Sequence, residues 1–143
     1  MALSLEVQPN EQFSRFIFSR KHYAAEKGRV KPQALLPSWN DEKQRWETSI
    51  QRIDGLDTLS IWNLGYKFVE NESADRIIKA RGSGNIDLIK SQELQLEIAG
   101  EPYPRHVNII NWPEHDAKDV RLMKATEIAN QLTLELDPRQ SPK

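Results

Sequence analysis

Apolar and polar positions alternate in several short runs along this chain, and two longer stretches repeat with helical spacing. Residues 13–20 are aromatic-rich and read as a strand, although Phe16-Ile17-Phe18 blurs the alternation. The residues before it read as a lead-in, or an edge strand at most. Glu26-Lys27-Gly28 suits a turn, and Pro32 and Pro37 confine any strand between Val30 and Leu36 to an edge or a short piece. Residues 38–43 read as a polar loop. Residues 46–53 alternate well and predict a strand, broken by Asp54-Gly55. Asp54 or Asp57 can cap the helix that follows, in which Leu59, Trp62, Tyr66 and Val69 fall at spacings of three, four and three. Residues 74–80 fit a short helix or a strand, and Arg81-Gly82-Ser83-Gly84-Asn85 reads as a turn. A short helix is expected over 86–92, then a strand carrying Leu94, Leu96 and Ile98. Tyr103 to Pro113 is an apolar run held between prolines; alternation sends Val107 and Ile109 to one face and His106 and Asn108 to the other. A helix starts near Pro113, with Glu114, Asp116 and Asp119 at its positive end and Leu122, Ala125, Ile128, Ala129 and Leu132 as its buried stripe. A last short strand covers 133–136. The expected class is α+β: residues 1–12 as a lead-in, one domain over 13–137 with a mixed or antiparallel sheet of short strands against two or three helices, and a polar tail over 138–143.

The length of 143 residues suits a single core, and four Trp, four Phe and three Tyr supply bulky anchors for it despite a hydrophobic fraction of 38%. No run approaches the roughly 18 apolar residues of a membrane span, and the first six residues do not read as a secretory leader. Absence of cysteine excludes disulfides, thiolate nucleophiles and Cys-held metals. The expectation is a cytoplasmic protein with no membrane partner. Net charge is −1, but residues 11–31 hold six basic side chains against two acids. Such a basic segment can face a phosphate-bearing ligand or an acidic protein, or simply be a solvated face.

Motifs for established chemistries are few. His22, His106 and His115 lie far apart, and Glu114-His115-Asp116 fits helix capping better than ligation, so neither a metal nor another cofactor is expected. There is no nucleophile elbow, and the 81–85 glycines lack a Walker lysine. The remaining constellation is Arg15, Arg20 and His22 from the first strand region, Arg52 from the end of the second, and Arg105, His106 and Asn108 from the proline-bounded strand. If these strands share a sheet, the guanidinium groups can grip a phosphate or carboxylate, Asn108 can orient it, and His106 is the candidate catalytic residue for moving a proton. The alternative is structural, with Arg105 exposed and His106 hydrogen-bonded at a sheet edge. Trp39, in its polar loop, is the candidate partner contact, or else a lid on the core.

Three groups of residues together resemble a family of small bacterial proteins: Val30 to Pro37 (VKPQALLP); Arg52-Ile53-Asp54-Gly55-Leu56 with Ile61-Trp62-Asn63-Leu64-Gly65; and Pro104 to Ile109 with Trp112-Pro113. The resemblance spans about residues 13–135 and implies one compact domain; it attaches no activity to any residue. The functional expectation is a non-enzymatic accessory domain that engages a protein or anionic partner through the basic N-terminal third and the Arg105/His106 strand. Two alternatives stand beside it: a small enzyme acting on a nucleotide or phosphoester, and sequence-independent nucleic-acid binding.

Overall fold

The apolar run that blurs the first strand has a simple cause: that strand is covered on both faces. In the structure, a computed structural model describing residues 6–70, 76–101, 103–114 and 117–139, the strand β1 (Gln12–Ile17) sends Phe13 and Ile17 into one apolar cluster and Phe16 into another. A half-solvated strand would alternate; a central one needs apolar residues at both parities.

The chain continues through β2 (Tyr23–Ala24), β3 (Arg29–Val30), β4 (Ser38–Asn40) and β5 (Arg45–Arg52), then α1 (Thr58–Leu64). There follow β6 (Ala80–Asn85), α2 (Asp87–Lys90), β7 (Gln95–Ile98), β8 (His106–Ile110), α3 (Lys118–Ala129) and β9 (Thr133–Leu136). The main sheet runs β7-β8-β5-β1-β6-β9, with β4 added to the free end of β5, and all its pairings are antiparallel. This is a single α+β domain. One face carries α3 and the 3-10 turn Pro32–Ala34 over Phe13, Ile50, Val107 and Ile109. The other carries α1 and the π-helical turn Gly65–Val69, which pack Ile61 and Trp62 on Phe16 and Ile78. Asp57 caps α1 by accepting from the Ser60 amide at 2.8 Å, as the sequence predicts. Among the described residues no helix is long and apolar enough to cross a membrane.

Three local expectations are corrected. The 81–85 segment is not a turn but the core of β6, paired with both β1 and β9. Its glycines serve close packing: a Cβ on Gly82 would meet Val30 at 2.9 Å and Leu132 at 3.1 Å, and one on Gly84 would meet Leu132 at 2.6 Å. Gly82→Val should therefore cost about 1–3 kcal/mol through overpacking, read as a lowered urea midpoint at unchanged slope; an unchanged midpoint would return the segment to the status of a tolerant turn. Residues 38–40 are a strand rather than loop, since Trp39 lies opposite Trp46 with the rings in edge contact at 5.4 Å. In α3, which begins at Lys118, Leu122 is 41% exposed and Arg121 is buried in its stead. Arg121 lies 4.3 Å over the Trp46 ring and donates to the Pro113 and Glu114 carbonyls. Its long apolar stem and donor-rich head suit a position where a helix meets both an indole and free carbonyls.

Arg139, in the segment expected as a tail, lies 3.8 Å over the Tyr66 ring and pairs with Glu70 and the buried Asp137. The hydrogen bonds from Arg139 hold Glu70 below the ordinary glutamate range despite burial.

Candidate anion-binding pocket

Strands β1 and β5 pair only at Phe13↔Arg52 and Ser14↔Gln51. Beyond that point they part, because the free side of β5 is taken further along by β4, with Ser38 opposite Glu47. Arg15 is the next residue of β1, and its guanidinium enters the parting. Its Nε donates to the Ala34 carbonyl at 2.8 Å and one Nη to the Ser49 carbonyl at 2.7 Å. The side chain thus ties β1, the Pro32–Ala34 turn and β5 together with main-chain acceptors alone. No carboxylate pairs with Arg15 among the described residues. Burial pushes this guanidinium down to about 10, and the nearby Arg76 charge pushes the same way against a smaller opposing influence of Tyr103.

The parting opens into a pocket of about 480 Å³. Its floor is the sheet face shared by Glu47 and Ser49 of β5 and Asn108 of β8, where Ser49 and Asn108 are directly opposite. Arg15 and Arg76 also line it, as do Trp39, Asn40 and Asp41 of the β4 hairpin. Arg76 lies 4.6 Å over the Phe18 ring and has no acid partner among the described residues. The acids are differently placed. Glu47 pairs with Arg45 at 3.0 Å and accepts from the Asn40 amide at 2.8 Å. Glu97, beyond the floor, is held by Arg45, Lys43 and Asn108, and the Arg45 hydrogen bond above all brings its carboxyl down to about 2. Arg45 therefore neutralises Glu47 and Glu97, while among the described residues the cations of the parting have only carbonyls and a ring. Tyr103 braces the site from behind: its hydroxyl accepts from Gln51 Nε2 at 2.9 Å and hydrogen-bonds with Ser49, and burial raises its pKa.

Three of the residues picked out by sequence meet here: Arg15, Asn108 and Trp39. The others do not line the pocket. Arg20 is exposed on the 3-10 turn Arg20–His22. His22 is half-buried on the same turn, and burial, with the Arg15 and Lys31 charges, lowers its pKa. Arg52 forms a buried ion pair with Glu11 instead of facing a ligand, at 2.8 Å from Nε and 2.6 Å from Nη2. Arg105 is not exposed as the structural alternative had it, but partly buried, donating to the carbonyls of Arg52 and Asp54 at 3.0 and 3.1 Å. His106 has its Nδ1 against the Glu101 carbonyl and its ring tilted on Tyr103 at 5.3 Å. Its strand lies between β7 and β5, so it is not an edge. His115 lies outside the described residues.

Sequence reasoning missed Arg76, Ser49, Asn40, Asp41 and Glu47. A three-residue strand is too short to show alternation, and Arg76 precedes β6 without a pattern around it, so only the partner strands identify them.

No family model, curated protein or solved structure matches this chain.

Proposed function

We propose that this protein is a non-enzymatic binding domain that takes up an anionic group, carried by a ligand or a partner protein, between Arg15 and Arg76. The observation that carries the reading is the state of Arg15: enclosed, bonded to two carbonyls, depressed to about 10, and beside a second guanidinium. Two like charges in a partly desolvated site are a standing electrostatic penalty, and an entering anion removes it while gaining charge-assisted hydrogen bonds. Asn108 and Ser49 on the floor add neutral polar groups that can orient the bound group. The Arg20–His22 turn and Lys31 extend the positive field, since the charges of both Arg15 and Lys31 are felt at His22.

Titration of the labelled protein with sodium acetate and sodium phosphate, against sodium chloride at matched ionic strength, tests this. Saturable NMR shifts at the Ser49 and Asn108 amides and the Trp39 indole are expected. Arg15→Met, checked for an intact fold, should weaken them at least tenfold, and Arg76→Met should do so without touching the Ala34 and Ser49 bonds. Shifts equal to those in chloride, or undiminished in both variants, would end the anion reading.

A further inference from the structure

None of the six cations of residues 15–31 pairs with an acid among the described residues, and Glu26 is the single acid between positions 12 and 37. Other arginines hold the paired acids: Arg52 holds Glu11, Arg45 holds Glu47 and Glu97, Arg81 holds Glu135, and Arg139 holds Glu70 and Asp137. The basic segment therefore presents its charge outward instead of spending it inside the fold.

Backbone pairing gathers part of that charge beside the anion pocket. β2 and β3 pair Tyr23 with Val30 and Ala24 with Arg29. Tyr23 and Val30 are buried, so alternation turns Arg29 outward; Lys31, next in an extended conformation, follows it to the same side. Lys27, Arg29 and Lys31 line a second, smaller pocket of about 140 Å³. Asn130, just beyond α3, also lines it and accepts from Arg29 at 3.1 Å. Three hydrogen bonds connect this pocket to the first. The Lys31 amide donates to the His22 carbonyl at 2.9 Å, the Ala34 amide donates to the Lys31 carbonyl at 3.0 Å, and the Ala34 carbonyl accepts from Arg15. His22 feels the charges of both Arg15 and Lys31.

The spacing suits an extended chain. Arg29 and Lys31 are anchored ~7 Å apart on extended backbone, and the Ala34 carbonyl that holds Arg15 follows ~6 Å further along a 3-10 turn. An extended peptide repeats on one face every ~7 Å, so carboxylates at alternate positions keep step with this row. Nucleic acid fits less well. Tyr23, the aromatic of the hairpin, is buried and offers no stacking surface. The chain is −1 as a whole, so an excess of acids outside the patch repels a long phosphate backbone.

We infer that the partner is an acidic protein segment lying extended across both pockets, with one carboxylate between Arg15 and Arg76 and others, at alternate positions, on Lys31 and Arg29. The inference rests on the anion-binding reading.

Calorimetric titration at low salt tests it with four probes: acetyl-Gly-Glu-Ser-Glu-Ser-Glu-Gly-amide, its Gln counterpart, an isomer with the three glutamates contiguous, and a tetrathymidylate carrying the same three charges. The alternating peptide should bind at least tenfold more tightly than acetate, and the Gln counterpart should lose that gain. The contiguous isomer should bind about threefold more weakly. The triple variant Lys27→Ser, Arg29→Ser, Lys31→Ser changes exposed positions only. It should bring the peptide to about the affinity of acetate and leave the acetate shifts at the Ser49 and Asn108 amides unchanged. If acetate binds through Arg15 but the peptide gains nothing, or the triple variant keeps the gain, the inference fails and the anion reading stands. Equal binding of the contiguous isomer would overturn the extended register, and tighter binding of tetrathymidylate would overturn the protein partner. If neither acetate nor peptide binds, both readings fail.

Discussion

Replacing Arg52 with alanine is expected to lower the free energy of unfolding by about 3–5 kcal/mol, the range for removing one partner of a buried ion pair. The Arg52 and Glu11 side chains are only 3% and 6% exposed. The two bonds between them are parallel, from Nε to one carboxylate oxygen and from Nη2 to the other. Without Arg52 the Glu11 carboxylate stays buried and, among the described residues, keeps the hydrogen bond from the Gln8 amide at 2.7 Å. Its position between the lead-in residues and the end of β5 makes the loss felt at the β1–β5 pairing as well. The double change Arg52→Met with Glu11→Leu should recover most of the loss, because the pair's attraction largely offsets its desolvation. Urea denaturation checks both. A single-variant loss below about 1 kcal/mol would show the pair to be solvent-screened in solution.

The same pair sets a pH dependence. Burial alone would raise the Glu11 carboxyl, but the Arg52 hydrogen bond and charge, the Gln8 amide and the Arg105 charge outweigh it and hold it lowered. With the folded pKa below the unfolded one, the contribution is complete above the unfolded value of about 4.3 and is lost as pH falls through the folded value. The double variant should lose that part of the acid sensitivity.

Trp62→Ala is the second large effect, expected at about 3–5 kcal/mol for truncating a buried tryptophan. Trp62 is the centre of the smaller apolar cluster: its ring lies 5.9 Å from Phe16, 6.1 Å from Tyr66 and 5.5 Å beneath the Arg81 guanidinium. Its indole N–H donates to Glu135 at 2.6 Å, linking α1 across the sheet to β9. Alanine would leave a cavity between a helix and a sheet that are both held by other contacts, so collapse can be only partial. Trp62→Phe keeps most of the packing and drops the N–H, and should lose about 1 kcal/mol. Near-equal losses for the two variants would place the stabilisation in the hydrogen bond instead of the packing.

Most elements were legible because their pattern reflects local physics. The alternation over 46–53, the spacing of Leu59, Trp62 and Tyr66, and the Asp57 cap are each consequences of strand or helix geometry. They appear in the structure nearly where the pattern puts them. The failures were at residues whose role depends on a neighbour distant in sequence. Glycines at 82 and 84 read as a turn because glycine permits turns; in the fold they are small because Leu132 and Val30 approach them. Arg121 has no place in the apolar stripe of its helix, and it is buried because Trp46 and two carbonyls meet it.

The candidate site divides in the same way. Sequence by itself narrowed the candidate groups to arginines, a histidine, an amide and a tryptophan, because cysteine is absent and no established catalytic motif is present. It could not choose among the arginines. Arg15, Arg52 and Arg105 are alike as residue types at strand positions, yet one faces carbonyls beside an open pocket, one faces a buried carboxylate, and one closes a strand end. That choice was made by strand order and by the point at which β1 and β5 part. Both depend on pairings between residues dozens of positions apart, which local propensity does not encode.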